Sequence, residues 1–101
     1  MQIQVNAGDV QSSEAIVNHV TQEVENAMRN LKKRVTRVEV HLRDINGHKG
    51  GVDKRCLMEA RIAGKKPLAV ECDATDLYVA ISEASGKLER AVTRSIEREQ
   101  H

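Results

Sequence analysis

The chain opens with strict alternation. In MQIQVN (1–6), Ile3 and Val5 fall on one side and Gln2, Gln4 and Asn6 on the other. A period of two predicts a short half-buried strand. Gly8-Asp9 then breaks the pattern, and Ser12-Ser13-Glu14 supplies a hydroxyl cap with an acid in the first turn of a helix. Ile16, Val17, Val20, Val24, Ala27, Met28 and Leu31 recur every three or four residues, which predicts an amphipathic helix over about 13–32. Alternation returns at 35–43, where Val38, Val40 and Leu42 oppose Arg37, Glu39, His41 and Arg43. A loop follows, DINGHKGGVD (44–53).

The next strand, about 54–63, places Cys56, Met58, Ala60 and Ile62 on one face. Arg55, Glu59 and Arg61 occupy the other, with Leu57 among them. Gly64-Lys65-Lys66-Pro67 is a hairpin turn. Leu68, Val70 and Cys72 face inward on the strand after it, and Thr75 or Asp73 can cap a last helix. That helix has apolar positions Leu77, Tyr78, Ile81, Ala84, Leu88, Ala91, Val92 and Ile96. Gly86 in its middle costs about 1 kcal/mol relative to Ala, which predicts a close approach to a neighbour there.

The order is therefore β-α-β-β-β-α. Each strand has one polar face, so one side of a four-stranded sheet meets water and both helices cover the other. The strand-helix-strand crossover should make the first two strands parallel, and the later strands form an antiparallel meander. The expected fold is a two-layer α+β sandwich, one domain over 1–101.

Composition narrows the function classes. No apolar run approaches the roughly 18 residues of a membrane helix. The first residues resemble no signal peptide, and two cysteines in such a chain fit a reduced, cytoplasmic setting. Tyr78 is the only aromatic residue, which argues against a reader that stacks bases on aromatic side chains. The formal charge of +1 hides an asymmetry. Residues 1–28 hold four acids and no Lys or Arg, so all 16 basic residues lie in 29–101. Such polarity predicts one anion-seeking side.

The last helix concentrates that charge. At roughly 100° per residue, Lys87, Arg90, Arg94 and Arg98 fall within about 80° of one another, away from the apolar face. Like charges at this spacing cost about 0.2–0.5 kcal/mol a pair. A phosphate backbone reverses that sign, whereas pairing with acids, as of Glu83 with Lys87, would make the stripe an ordinary solvated face. Arg29, Lys32, Lys33 and Arg34 close the first helix, where cations suit the helix dipole in any case. Lys65 and Lys66 sit at a hairpin tip. On the open sheet face, Arg37, Arg43, Arg55 and Arg61 outnumber Glu39, Glu59 and Glu71. Part of that face is expected to be cross-strand ion pairing.

Catalytic chemistry is not visible. GHKGG (47–51) lacks the spacing of a phosphate-binding loop and opens no helix. Cys56 and Cys72 face inward on adjacent strands, with a register that can set them nearly opposite, and behave as small hydrophobes. His41 projects to the other face, while His19 lies on a helix and His48 in a loop, so neither a metal site nor a Cys-His pair assembles. Glu71, Asp73 and Asp76 gather at the start of the last helix, where acids serve as caps. No carboxylate pair stands apart in apolar surroundings.

Taken in order, MQIQVN, HLRDINGHKGG, DKRCLMEARIAGKKP (53–67), DLYVAI (76–81) and KLERAVTR (87–94) resemble the bacterial ribosome hibernation-promoting factor family, which includes the ribosome-associated inhibitor protein Y. The resemblance covers nearly the whole chain and is weakest over 7–34. It implies a fold related to double-stranded-RNA-binding domains. It also implies binding to the small ribosomal subunit between head and body, on rRNA where mRNA and tRNA would lie, without catalysis. The family's basic positions match Lys87, Arg90 and Arg94, with Arg98 continuing them, and Lys54, Arg55, Arg61, Lys65 and Lys66 on the strand and turn. Tyr78 matches an aromatic near the start of the last helix, expected in the core. The first helix departs from the family in having no cation before Arg29, and Gly86 replaces a better helix former. The chain resembles the short form, which acts together with a separate ribosome modulation factor.

The expectation is thus a non-enzymatic translation regulator of stressed or stationary-phase cells. Its partner would be the small ribosomal subunit, rRNA and ribosomal proteins, with no cofactor, metal, membrane or small-molecule substrate. Two other classes stay open: a free-standing double-stranded-RNA binder, and a redox or metal sensor built on Cys56 and Cys72.

Overall fold

The computed structural model describes residues 1–8, 10, 13–46 and 51–99. The elements are β1 (Gln2–Asn6), α1 (Glu14–Ala27), β2 (Val35–Asp44), β3 (Lys54–Ile62), β4 (Leu68–Ala74) and α2 (Leu77–Arg98). The sheet runs β1-β2-β3-β4, with β1 parallel to β2 and the other neighbours antiparallel, as the strand-helix-strand crossover and the meander after it predict. The register aligns Val5 with Val40, Val40 with Met58, and Met58 with Val70, so apolar side chains line one face across all four strands. Both helices cover that face. α2 packs on β3 and β4, and α1 lies against α2 and β1.

The core between the layers includes Val20, Val24 and Met28, then Val38, Val40 and Leu42, then Met58, Ile81, Leu88 and Val92, all without solvent exposure. Each such side chain contributes about 1.5–3 kcal/mol by burial. Two tight backbone positions use glycine. Gly64 turns the β3–β4 hairpin at a φ of 77°. Gly8 leaves β1 at a φ of 56°, where a Cβ would stand 3.0 Å from the Leu42 carbonyl oxygen.

Four expectations are corrected. α1 ends at Ala27 rather than near 32, and no cation occupies its last turn. From Met28 the chain runs as successive turns, with Leu31 N–H donating to Met28 O (2.9 Å) and Val35 N–H to Leu31 O (2.9 Å). Met28 and Leu31 keep helical spacing because a three-residue turn satisfies it too. The chain must also reverse by Val35, the first buried residue of β2. α2 is capped by Asp76, whose Oδ1 accepts the Tyr78 N–H (2.7 Å), and not by Thr75 or Asp73. Asp73 belongs to β4 and holds Arg55 instead. Tyr78 is 42% exposed, its ring 4.9 Å from that of His19, so it is not a core residue. Gly86 meets no neighbouring element: a Cβ there would touch only Arg90 Nη1 of its own helix, at 3.4 Å. At the start of α1, Ser13 Oγ caps the helix by accepting the Ile16 N–H (3.2 Å). Ser12, and the GHKG stretch at 47–50 with His48, lie outside the described residues.

Candidate nucleic-acid interface

α2 projects Arg90, Arg94 and Arg98 at successive turns, about 6 Å of rise apart. All three are exposed, and their side chains form no ion pair or hydrogen bond among the described residues. Lys87 donates to the Glu71 carbonyl oxygen (3.0 Å), and its charge adds to that of Arg55 in lowering the Asp73 pKa. The Glu83–Lys87 pair that would have stitched this face does not form, and Glu83 instead faces the Cys72 Sγ at 3.8 Å. A groove of about 410 Å³ between β4 and α2 is lined by Val70, Glu71, Lys87, Arg90, Ala91 and Arg94. A smaller one of about 300 Å³ adjoins it, sharing Lys87 and Arg90. The cations therefore border a trough instead of standing on a flat helix surface.

The sheet face contrasts with this. Arg55 is held by Asp73 through two hydrogen bonds (Nε to Oδ1 2.8 Å, Nη2 to Oδ2 3.0 Å). The Asp73 carboxylate beside it raises the Arg55 pKa, and Arg55 in turn holds Asp73 below the usual carboxylate range. The register sets Arg37 opposite Arg61 and Glu39 opposite Glu59. Glu39 sits one pleat away and takes both arginines, at 3.3 Å from Arg37 and 3.5 Å from Arg61, while Gln4 also accepts from Arg37. Lys54 reaches Asp44 (3.1 Å) and Asp53 (3.2 Å), and its pKa rises chiefly through the Asp44 hydrogen bond. Only Arg43 among the sheet cations named from the sequence has no such partner among the described residues, and it lies opposite Arg55.

The hairpin and the 29–34 cluster are split. Lys66 is exposed at the tip. Lys65 folds back, donating to the Ser95 carbonyl oxygen (2.7 Å) and lying 3.5 Å from Glu99. Arg34 grips the same Glu99 with two hydrogen bonds of 2.9 Å each and also donates to Ala63 O (3.2 Å). The Arg34 guanidinium keeps the Glu99 carboxyl below its ordinary range. This knot joins the turn before β2, the β3–β4 hairpin and the end of α2. Arg34 and Glu99 are 65 residues apart in sequence, and no local spacing announces the knot. Lys32 pairs with Glu25, and Arg29 donates to the Asn26 side chain.

A second contact missed by sequence reasoning joins the helices. His19 Nε2 lies 3.2 Å from Ser82 Oγ, and Ser82 and Ser85 both donate to Glu23. Cys56 and Cys72 are direct cross-strand partners, both buried and both free thiols. Burial, and secondarily the Cys72 neighbour, pushes the Cys56 thiol up to about 12. Among the described residues, no cluster of three or more His, Cys, Asp or Glu could hold a metal ion. No helix among the described residues is long and apolar enough to cross a membrane.

A two-layer α+β domain with a row of unneutralised cations beside a groove defines a class of small domains whose exposed charge suits an extended anion. Residues 3–100 match the family described as "Sigma 54 modulation protein / S30EA ribosomal protein", and the chain belongs to it. The family is one of ribosome-associated modulation proteins. The fold is similar to that of a ribosomal subunit interface protein from Coxiella burnetii, with a TM-score of 0.79 and 14% identity over 96% of this chain and 99% of that one. It is also similar to the Protein Y N-terminal domain of Thermus thermophilus, with a TM-score of 0.75 and 25% identity over 93% of this chain and 98% of that one. No curated protein matches the chain.

Proposed function

We propose that this protein is a non-catalytic regulator of translation that binds rRNA of the small ribosomal subunit at the decoding region. There it would exclude mRNA and tRNA by occupancy in stressed or stationary-phase cells. The observation that carries this reading is the α2 row, in which Arg90, Arg94 and Arg98 beside Lys87 are left without acid partners among the described residues, in a chain of this family. Cations held close together without counter-charge repel one another, and a phosphate backbone relieves that repulsion while releasing its own counterions. The names of the two similar structures, a ribosomal subunit interface protein and Protein Y, support the ribosome as the source of that backbone. The sensor reading loses ground because Cys56 is buried and its thiol stays protonated, a state that is unreactive.

Co-sedimentation with purified small subunits, with and without mRNA and initiator tRNA, tests the proposal. Saturable binding displaced by tRNA is expected. Binding to duplex RNA with none to the subunit would instead assign a free-standing RNA binder.

A further inference from the structure

On the open face of the sheet, far from the α2 groove in the layer order, Asn6, Gly8, His41, Leu42, Arg43 and Leu57 enclose a concavity of about 450 Å³. That volume falls in the range of sites for small organic ligands, about 300–1,000 Å³. Its walls combine three kinds of group. Leu57 is half-buried on the solvent side of β3 and lies directly opposite His41, which pairs on its other side with Asn6. An aliphatic side chain beside an imidazole makes a weakly polar floor on a face otherwise crowded with charge. Arg43 stands two residues beyond His41 on the same face and is exposed. Its cross-strand neighbour is Arg55, which Asp73 already occupies, so Arg43 meets a cation there and has no acid partner among the described residues. Asn6 is fixed in place because its Oδ1 accepts the Gly8 N–H (3.0 Å), which leaves the amide Nδ2 to donate.

A floor for a planar ring, one free guanidinium and an oriented amide are the parts a single nucleotide requires. We propose that this concavity is a nucleotide subsite, with the base on Leu57 and His41, the phosphate on Arg43, and the Asn6 amide donating to the base or ribose. The chain has no Phe or Trp and its single Tyr, Tyr78, stands on α2, so a leucine-imidazole floor is how this sheet can receive a base. The two binding surfaces then divide the work: α2 neutralises backbone without regard to sequence, while the sheet pocket holds one residue of the strand. That a ribosomal strand supplies this nucleotide rests on the function proposed above, whereas the pocket's chemistry does not.

Titration of the isotope-labelled protein, followed by NMR at the Leu57 methyls and the His41 ring, tests this with four probes: adenosine monophosphate, adenosine, inorganic phosphate and a short single-stranded RNA. Saturable shifts with the monophosphate are expected, stronger than with phosphate or nucleoside. Arg43→Ala should weaken them about ten- to hundredfold, the range for loss of a charge-assisted hydrogen bond. Leu57→Ser should weaken the monophosphate more than inorganic phosphate. Tighter binding of the oligonucleotide assigns an RNA strand as the source, and equal binding a free nucleotide. Absence of shifts, equal response to inorganic phosphate, or indifference to Arg43→Ala would overturn the subsite. If the monophosphate binds here while wild-type protein ignores ribosomes, the proposed function fails and the subsite stands. If ribosomes bind and the monophosphate does not, the reverse holds.

Discussion

α2 and the open sheet face are alike in sequence, each with a set of basic residues at regular spacing, and they differ in what surrounds each charge. On the sheet, side chains stand close across and along neighbouring strands, so Glu39 serves Arg37 and Arg61, and Asp73 serves Arg55. On α2, the acids that share the basic side, Glu83 and Glu97, form no ion pair with the stripe, and Lys87 turns to a backbone carbonyl. A phosphate arriving at Arg37, Arg55 or Arg61 on the sheet must displace a carboxylate, and one arriving at the α2 arginines displaces only water and counterions. The number of positive residues on a surface therefore says less about anion binding than how many are already answered.

Substitution on the two regions exposes that difference most strongly. Arg90→Glu with Arg94→Glu should weaken ribosome binding at least about a hundredfold, each lost charge-assisted contact being worth about 1.5–3 kcal/mol. The fold should survive, since both side chains face solvent. Arg55→Ala with Arg61→Ala should change the same affinity only about threefold or less, because both side chains are already committed to acids. Equal losses in the two variants, measured by co-sedimentation at one salt concentration, would break the comparison.

Gly86 offers a smaller and opposite effect. It sits beside the stripe without any neighbour that requires a glycine, and the one contact a Cβ would make is the flexible end of Arg90. Gly86→Ala should stabilise the protein by about 0.5–1 kcal/mol and raise its melting temperature by about 2–8 °C. Binding should be retained. A lowered melting temperature would show a close approach that the structure does not contain.

Acid titration gives the smallest effect and falls on the paired regions. Asp73 and Glu99 have pKa values lowered in the folded state, through hydrogen bonds from Arg55 and Arg34 respectively. Their contribution to stability is therefore fully present above the ordinary carboxylate range and is lost as pH falls through the lowered values, below about pH 4. Melting temperatures followed across that interval should fall less steeply in Asp73→Asn and Glu99→Gln than in the parent. Both groups are exposed, so the difference is modest. An identical pH profile in parent and variants would mean that neither pair stabilises the fold.

Much of this was legible in the sequence because alternation reports a face directly. Ile3, Val40, Met58 and Val70 declared the buried side of the sheet, and Cys56 and Cys72 fell opposite as their positions allowed. The α2 stripe was legible for the same reason, since helical spacing is a local property. The ends of elements were not. Met28 and Leu31 satisfy a turn as well as a helix, and Asp76 displaced Thr75 and Asp73 as the cap because Asp73 was drawn into the sheet by Arg55. Tyr78 shares the spacing of the apolar face yet lies at its margin beside His19. Which cations were free was the least legible of all. Arg34 and Lys65 look as available as Arg90 until Glu99, from the far end of the chain, is seen between them.

The most direct test of the central claim is the slope of log affinity for small subunits against log salt, measured for the parent, Arg90→Ala with Arg94→Ala, and Arg55→Ala with Arg61→Ala. Binding through the α2 row requires that the α2 variant flatten the slope by about 1.5–2, the loss of two phosphate contacts, and that the sheet variant leave it nearly unchanged. A slope flattened by the sheet variant and untouched by the α2 variant would contradict it.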